Sequence, residues 1–204
     1  HDEPWQAFAG ALTQALLRRG RALLAARDFQ LARAAFDHAR RYDAREVEAH
    51  RGYIETLHAL DQIEQAIAEY TQRSAQSPRD EIALYALGLA YSYQGAREAK
   101  TLRRSSAVIE AALALNYRLV PAYLTLGFNY EAIEKLELEA RNRKQGFFEK
   151  IAFALPGFLD NLRRTLTFRP PKAAARWYER ALEALTMAIA LNDEAAHPQR
   201  EAQL

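Results

Sequence analysis

The 204-residue sequence contains no cysteine, which excludes disulfides, thiol catalysis and cysteine-ligated zinc or iron–sulfur sites. Valine and threonine are sparse, so an extensive β-sheet is not expected. No apolar run approaches the roughly 20 residues that a membrane-spanning helix needs, so we expect a soluble or peripheral protein. The net charge of +2 is too small to indicate a nucleic-acid partner by itself.

Glycine and proline are also few, with 8 and 7 residues, and they are scattered. Alanine, leucine, arginine and glutamate dominate instead. These side chains lose little conformational freedom in a helix, so the composition favours helix almost throughout. The abundance of arginine and alanine is typical of bacterial proteins, and a cytoplasmic and a periplasmic location both stay open.

Motifs of known catalytic sites are absent from the sequence. It contains no H-E-x-x-H zinc motif, phosphate-binding loop, G-x-S-x-G or dinucleotide fingerprint. His38, His50 and His58 fall on unrelated helical faces, and none pairs with a carboxylate at a metal-ligand spacing. We therefore expect neither enzymatic activity nor a cofactor or bound metal.

The chain repeats itself. The stretches LYALGLAY, Leu84 to Tyr91, and YLTLGFNY, Tyr123 to Tyr130, share a large apolar residue, then Leu-Gly, then Tyr at the same spacing. A second pattern places a small residue four positions before an aromatic one, in Ala32 and Phe36 and again 34 residues later. A fixed period of this length indicates stacked helix pairs, because each pair needs its neighbours to bury its apolar face.

These identities resemble the tetratricopeptide repeat family, whose units are pairs of helices A and B. The resemblance implies an all-α, right-handed helical repeat solenoid of about four pairs, over 13–46, 47–80, 81–119 and 120–193, with a polar tail over 194–204. The helix A positions are Leu16, Gly20 and Leu23; His50, Tyr53 and Leu57; Leu84, Leu87, Gly88 and Tyr91; and Tyr123, Leu126, Gly127 and Tyr130. The helix B positions are Ala32, Phe36 and Ala39; Ala66 and Tyr70; Ser105, Ile109 and Ala112; and Ala181, Leu185 and Ala188.

Two insertions interrupt the period between helices A and B. Five extra residues lie around Gly95 to Arg104, and a longer insertion spans about 136–171. A fifth repeat would also account for the longer spacing, but it would bury Glu139 and Arg143 at packing positions without evident partners, at a cost of several kcal/mol. The insertion is therefore the preferred interpretation, and both insertions are expected to lie side by side along one edge.

The longer insertion is basic and rich in phenylalanine. From Arg141 to Lys172 there are eight basic residues against two acidic ones, a net charge of +6, so that the remainder carries −4. Phe147 to Leu155 and Phe158 to Phe168 have the spacing of two short amphipathic helices, separated by Pro156-Gly157. They either cap the solenoid or dock on an anionic membrane surface or an acidic protein; nucleic acid is a weaker option. The docking residues would be Phe147, Phe148, Lys150, Phe153, Phe158, Arg163 and Arg164.

In the family that the chain resembles, helix A lines a groove that binds a partner protein or peptide. The resemblance implies a scaffold or adaptor, with the groove lined here by Arg21, Arg51, Tyr85, Leu89, Tyr93, Leu124 and Phe128. Large side chains of a partner would then be anchored near the aromatic residues, or the insertion, Trp5 and Phe8 would fill the groove in cis. Leu17, Arg21 and Gly52 occupy the positions where some members hold a carboxylate with Lys and Asn, so recognition of that kind is not expected.

Overall fold

The structure, a computed structural model, describes the backbone of residues 3–154 and 173–196 and the side chains of 8–143 and 179–192. All regular structure in these parts is helical. The helices are α1 (Glu3–Ala25), α2 (Phe29–Tyr42), α3 (Val47–Ala59), α4 (Ile63–Gln76), α5 (Glu81–Gln94), α6 (Ala99–Leu115), α7 (Val120–Ala154) and α8 (Ala173–Ala196).

Side chains at the loops define where helices begin. The carboxylates of Asp28 and Asp80 accept hydrogen bonds from the backbone N–H groups of Leu31, at 3.4 Å, and Ala83, at 2.9 Å. Each bond satisfies a donor that the first helical turn leaves unpaired. The turns that end α1 and α3 also match, because Arg27 and Asp61 both adopt the left-handed conformation, with φ of 62° and 58°. These two residues are 34 positions apart, so the turn recurs at the period of the sequence.

The eight described helices form four pairs that stack in sequence order. Each helix packs on the next one along the chain, and the first helices of successive pairs (α1, α3, α5 and α7) also contact one another. Their shared core contains Leu87 and Leu126, which are equivalent in the repeat and almost equally buried, at 7% and 4% exposed. The prediction of an all-α solenoid of helix pairs is confirmed.

Close approach of helices depends on the glycines of the first helix in each pair. A Cβ atom built on Gly52 would lie 2.3 Å from Cε1 of Phe36, and one on Gly20 would lie 2.8 Å from the same atom, so the ring fills the gap between α1 and α3. Gly88 approaches Ile109 and Gly127 approaches Leu185 in the same way. Omitting Cβ lets the second helix bring a large side chain against the backbone of the first.

The insertions differ in form from the prediction. The five extra residues of the third pair lengthen α6 to 17 residues, against 14 for α2 and α4, and add to the preceding turn. The longer insertion begins as a continuation of α7, which runs for 35 residues without a break. Residues 147–154 are therefore the end of α7 and not a separate short helix, and no turn begins a fifth pair in this stretch. The predicted helix over 158–168 lies outside the described residues.

Candidate interaction surface

The first helices of the pairs, α1, α3, α5 and α7, lie next to one another and present a shared face, which we call the helix-A surface. The predicted groove residues lie on these four helices, and four of them contribute described polar or aromatic groups that are at least partly accessible: Arg21, Arg51, Tyr93 and Phe128. Because equivalent positions recur along the stack, side chains from successive helices meet in rows. The contacts in those rows define what the surface can bind.

A charged row joins α1 to α3. The guanidinium of Arg21 donates to the Glu48 carboxylate at 2.8 Å, and Arg51 donates to the other oxygen of the same carboxylate. Burial alone would raise the pKa of Glu48, but the hydrogen bond from Arg21 and the charge of Arg51 outweigh it, and the pKa lies below its ordinary value. Glu48 therefore stays ionised at neutral pH, while both arginines remain substantially exposed, at 57% and 42% of their side chains.

An aromatic row joins α3 to α5. The His58 and Tyr93 rings are stacked, with centroids 4.7 Å apart and planes inclined by 26°. His58 is exposed and Tyr93 is half-buried, so one edge of the pair faces solvent. Burial, followed by the charge of Glu55, raises the pKa of the Tyr93 hydroxyl. The sequence predicted Tyr93 as a surface aromatic but not that His58 would stack on it; their separation of 35 residues, one more than the period, was the available signal.

Tyr85 and Leu89 belong to the core, which revises the predicted anchor site. They are 0% and 8% exposed on α5, which packs against α3, α4, α6 and α7. Burial raises the pKa of the Tyr85 hydroxyl to about 12, and the charge of Arg51 and the Thr125 side chain partly offset that rise. A partner bound to this surface cannot reach the Tyr85 ring, so Tyr85 supports the surface from beneath and does not anchor a partner directly.

The apolar end of the surface lies on α7. Leu124 and Phe128 are 37% and 63% exposed. Leu138, which was not predicted from the sequence, is also exposed, at 52%, and lies further along the same helix. Its heptad-type spacing from Leu124 was the signal that could have identified it. These residues form the largest apolar contribution of the described part of α7 to the molecular surface.

The predicted docking insertion is only partly described. Phe147, Phe148, Lys150 and Phe153 lie on the last turns of α7, but their side chains are outside the described residues. Phe158, Arg163 and Arg164 fall within 155–172, also outside them.

A polar cluster that joins α2, α3 and α4 was not predicted from the sequence. Arg40 stacks over the Tyr53 ring, 3.7 Å from its centroid, and forms ion pairs with Asp37 and Glu69. Tyr53 donates a hydrogen bond to Glu69 at 3.2 Å. These contacts tie α2, α3 and α4 together, and every charged member is paired. The cluster therefore connects the first helix pair to the second.

Within the described ranges, no three His, Asp or Glu side chains converge as a metal site requires. The helices of those ranges also include none that is long and apolar enough to cross a membrane. The accessible groups of the helix-A surface are guanidinium, carboxylate, imidazole and phenol groups in contact with one another. Groups of these kinds can form ion pairs, charge-assisted hydrogen bonds and ring contacts.

Three features relate this chain to known folds. They are the paired helices, a turn that recurs at a 34-residue spacing, and glycine-mediated contacts within three of the four described pairs. The fold resembles that of tetratricopeptide repeat proteins. No protein-family model matches the sequence, and no curated protein is similar to it.

Solved structures with a similar arrangement include three that cover most of this chain. A thermophilic TPR protein of Thermus thermophilus is 23% identical, with a TM-score of 0.44 over 94% of this chain and 93% of that one. The MamA protein is 19% identical, with a TM-score of 0.36 over 96% and 97% of the two chains. An RS-1 ArsTM double mutant of MamA is 19% identical, with a TM-score of 0.41 over 90% and 76%.

Proposed function

We propose that this protein is a non-catalytic scaffold that binds a segment of a partner protein on the helix-A surface and so assembles a complex. The supporting observation is the continuity of accessible groups across three successive first helices, from Arg21 and Glu48 to Arg51 and on to His58 and Tyr93. A partner segment lying across these helices would contact the arginines and Glu48 first and then the stacked rings of His58 and Tyr93. It would need a carboxylate for the arginines and an aromatic or cationic side chain for the rings.

The proposal does not require deep pockets. Stacked repeats bind through extended surfaces, where several shallow contacts act together. Partly buried arginine and aromatic groups contribute most of the affinity in such interfaces, since they combine large contact area with charge-assisted hydrogen bonds. Arg51 and Tyr93 fit that description, because both are partly buried in the free protein and held by neighbours. We therefore expect them to account for most of the binding energy.

The test is affinity capture from native lysate, followed by quantitative mass spectrometry. A triple variant, Arg51→Ala, His58→Ala and Tyr93→Ala, is expected to enrich specific partners at least tenfold less than the wild-type chain does. The matched control changes the same residue types elsewhere, at the exposed positions Arg97, His38 and Tyr117. Equal enrichment by the two variants, each with an unchanged circular dichroism spectrum, would remove the basis for the proposed surface.

A second candidate function is docking on a membrane or a membrane complex through residues 141–172. The observation that favours it is compositional, since five phenylalanines lie in a segment of net charge +6. Rings can insert among acyl chains while Lys and Arg contact anionic head groups. Vesicle co-sedimentation tests this directly. We expect pelleting with anionic but not with neutral vesicles, and a chain that pellets with both or with neither would argue against this function.

A further inference from the structure

The exposed apolar residues of α7 occupy positions that are covered in the preceding pair. Leu124 and Phe128 are equivalent to Tyr85 and Leu89, 39 residues earlier. Tyr85 and Leu89 are buried on α5, which has described helices packed on it, including α7, whereas Leu124 and Phe128 face solvent. On α8, Leu182 is 56% exposed, while the equivalent Ser106 of α6 is 4% exposed. At this end of the stack, large apolar side chains therefore occupy positions that are buried between helices in the preceding pair. No described helix covers them.

The exposed positions of α7 have the spacing of a coiled-coil seam. Leu124, Phe128, Glu131, Lys135 and Leu138 follow one another at intervals of four, three, four and three residues. Residues at these intervals lie along one stripe of a helix, which is the pattern by which two long helices pack together. Leu124, Phe128, Glu131, Lys135 and Leu138 are all exposed. The core of the protein uses other faces of α7, through residues such as Leu126, Tyr130 and Ile133.

The order of residues along the stripe selects the partner and its direction. In an antiparallel pair of α7 helices with Phe128 opposite the partner copy's Leu138, Glu131 lies opposite the partner copy's Lys135, and symmetry repeats both contacts. Moving one helix by a heptad in either direction places a charge opposite an apolar side chain. A parallel pair would place Glu131 opposite Glu131 and Lys135 opposite Lys135. Of these arrangements, only the first places apolar side chains opposite each other and also places Glu131 opposite a lysine.

We propose that two copies of this chain form a symmetric dimer by antiparallel pairing of α7, with Phe128 against Leu138 and Glu131 against Lys135 of the opposite copy. Two-fold symmetric dimers of this kind use one self-complementary surface, and the α7 stripe is self-complementary in that sense. Neither Glu131 nor Lys135 takes part in an ion pair among the described side chains, although they are spaced to form one within the helix. Both charges are therefore available to the second copy.

The dimer is distinct from the proposed partner binding. It uses the α7 stripe, which includes the apolar end of the helix-A surface, while the partner segment is assigned to the groups of that surface on α1, α3 and α5. Leu124 and Phe128, predicted from the sequence as groove residues, belong to the dimer contact in this proposal. Loss of one function leaves the other measurable, since the Arg51, His58 and Tyr93 variant should still dimerise.

Sedimentation equilibrium of the full chain over about 1–100 µM tests the oligomeric state. The wild-type mass should approach twice the 23.2 kDa of one chain. Phe128→Asp or Leu138→Asp should leave a monomer, because each places a carboxylate in the apolar layers. Leu31→Asp is the matched control, since Leu31 is 49% exposed on α2 and away from the stripe. A wild-type chain that stays monomeric at 100 µM would overturn the proposal.

Charge exchange tests the register itself. Glu131→Lys alone, or Lys135→Glu alone, opposes like charges at two symmetric contacts and should weaken the dimer by roughly tenfold to a hundredfold. The double exchange restores opposite charges and should recover the wild-type dissociation constant. Mixing the two single variants should likewise give a heterodimer that is tighter than either homodimer. Lys100→Glu, an exposed change outside the stripe, should have no effect. A double exchange that fails to recover the dimer would exclude this register.

Discussion

His50 is a buried histidine held in its neutral form by two hydrogen bonds. Nε2 lies 3.0 Å from the Ala44 carbonyl, which can only accept, so Nε2 carries the proton. Nδ1 then accepts from the Tyr70 hydroxyl at 2.7 Å. Burial, followed by the charges of Arg73 and Arg40, lowers the pKa of His50 to about 4. Neutral imidazole is thus part of the folded structure.

This histidine should make stability depend on pH in a defined window. The pKa of His50 is about 4 when folded and about 6.5 when unfolded, so the unfolded chain binds the proton first as pH falls. The stabilisation is complete above pH 6.5 and decreases below it, by about 2 kcal/mol between pH 7 and pH 5. Urea unfolding at both pH values measures it. His50→Gln should show a smaller decrease, and an equal one would assign the pH dependence to other groups.

Gly52 is a second residue whose role is testable by a small change. Gly52→Ala places a methyl group against the Phe36 ring, which is 1% exposed and is also held by Gly20. We expect a loss of about 1–3 kcal/mol in the free energy of unfolding. Phe36→Leu should reduce that loss when the two changes are combined. Gly10→Ala is the control, because nothing lies within 4 Å of the added atom and helix propensity favours alanine.

At the residue scale, the sequence predicted buried identities better than exposed ones. Leu87, Leu126 and the contact glycines were identified correctly, because the spacing of apolar residues and glycine within one helix pair is enough to define its core positions. Tyr85 was predicted to be on the surface because the resemblance to the repeat family assigns its face of α5 to the groove. That assignment does not take into account how the following helices pack on this face. Whether such a face is covered depends on how closely α7 approaches, which is a property of the packing and not of local spacing. The remaining groove residues and the docking residues stay predictions.

Among the elements, α5, α6 and α7 are joined by a buried polar chain. The Ser105 hydroxyl donates to the Gly88 carbonyl at 2.6 Å, and Asn129 Nδ2 donates to Ser105 at 2.8 Å. Ser92 in turn donates to the Asn129 carbonyl oxygen. Asn129 is 1% exposed and Ser105 is fully buried. The chain of bonds fixes how the last pair sits on the third one.

Removing Asn129 should loosen the last pair selectively. Asn129→Ala leaves Ser92 and Ser105 without this partner, at a cost of about 1–3 kcal/mol. Because the lost bonds cross from α5 and α6 to α7, amide exchange should accelerate in α7 and α8 more than in α1 to α4. Hydrogen–deuterium exchange with mass spectrometry measures this. Ser106→Ala is the control, since Ser106 donates only within α6, and uniform acceleration would contradict the expectation.

Element lengths were the least predictable feature. Comparing spacings predicted an insertion over about 136–171, and its bounds stay a prediction; the first part of that stretch, to Ala154, continues α7 and is not a separate short helix. Helix periodicity continues through 136–154 whether or not the chain turns, because the amphipathic pattern of Phe147 to Leu155 suits a separate helix and a continued one equally. The repeat boundaries beyond α7 remain a prediction for the same reason.

For the whole molecule, stability should depend on contacts between neighbouring pairs. A fragment ending at Asn116 lacks α7 and α8, so α5 and α6 would lose their packing contacts with α7. We expect a broader thermal transition at lower temperature for this fragment than for the full chain, followed by circular dichroism. A fragment that melts as sharply and as high as the full chain would show that the pairs fold independently.

The length of α7 separates two regions of the protein in space. It starts in register with α5 but has 35 residues against 14, so it extends about 30 Å beyond the length of that helix. The last turns of α7, which include Phe147, Phe148, Lys150 and Phe153, therefore lie beyond the length of α5. Under the two proposed functions, a membrane or membrane complex bound near the end of α7 and a partner segment bound near Tyr93 would not overlap. Both could then be bound to one copy of this chain at the same time.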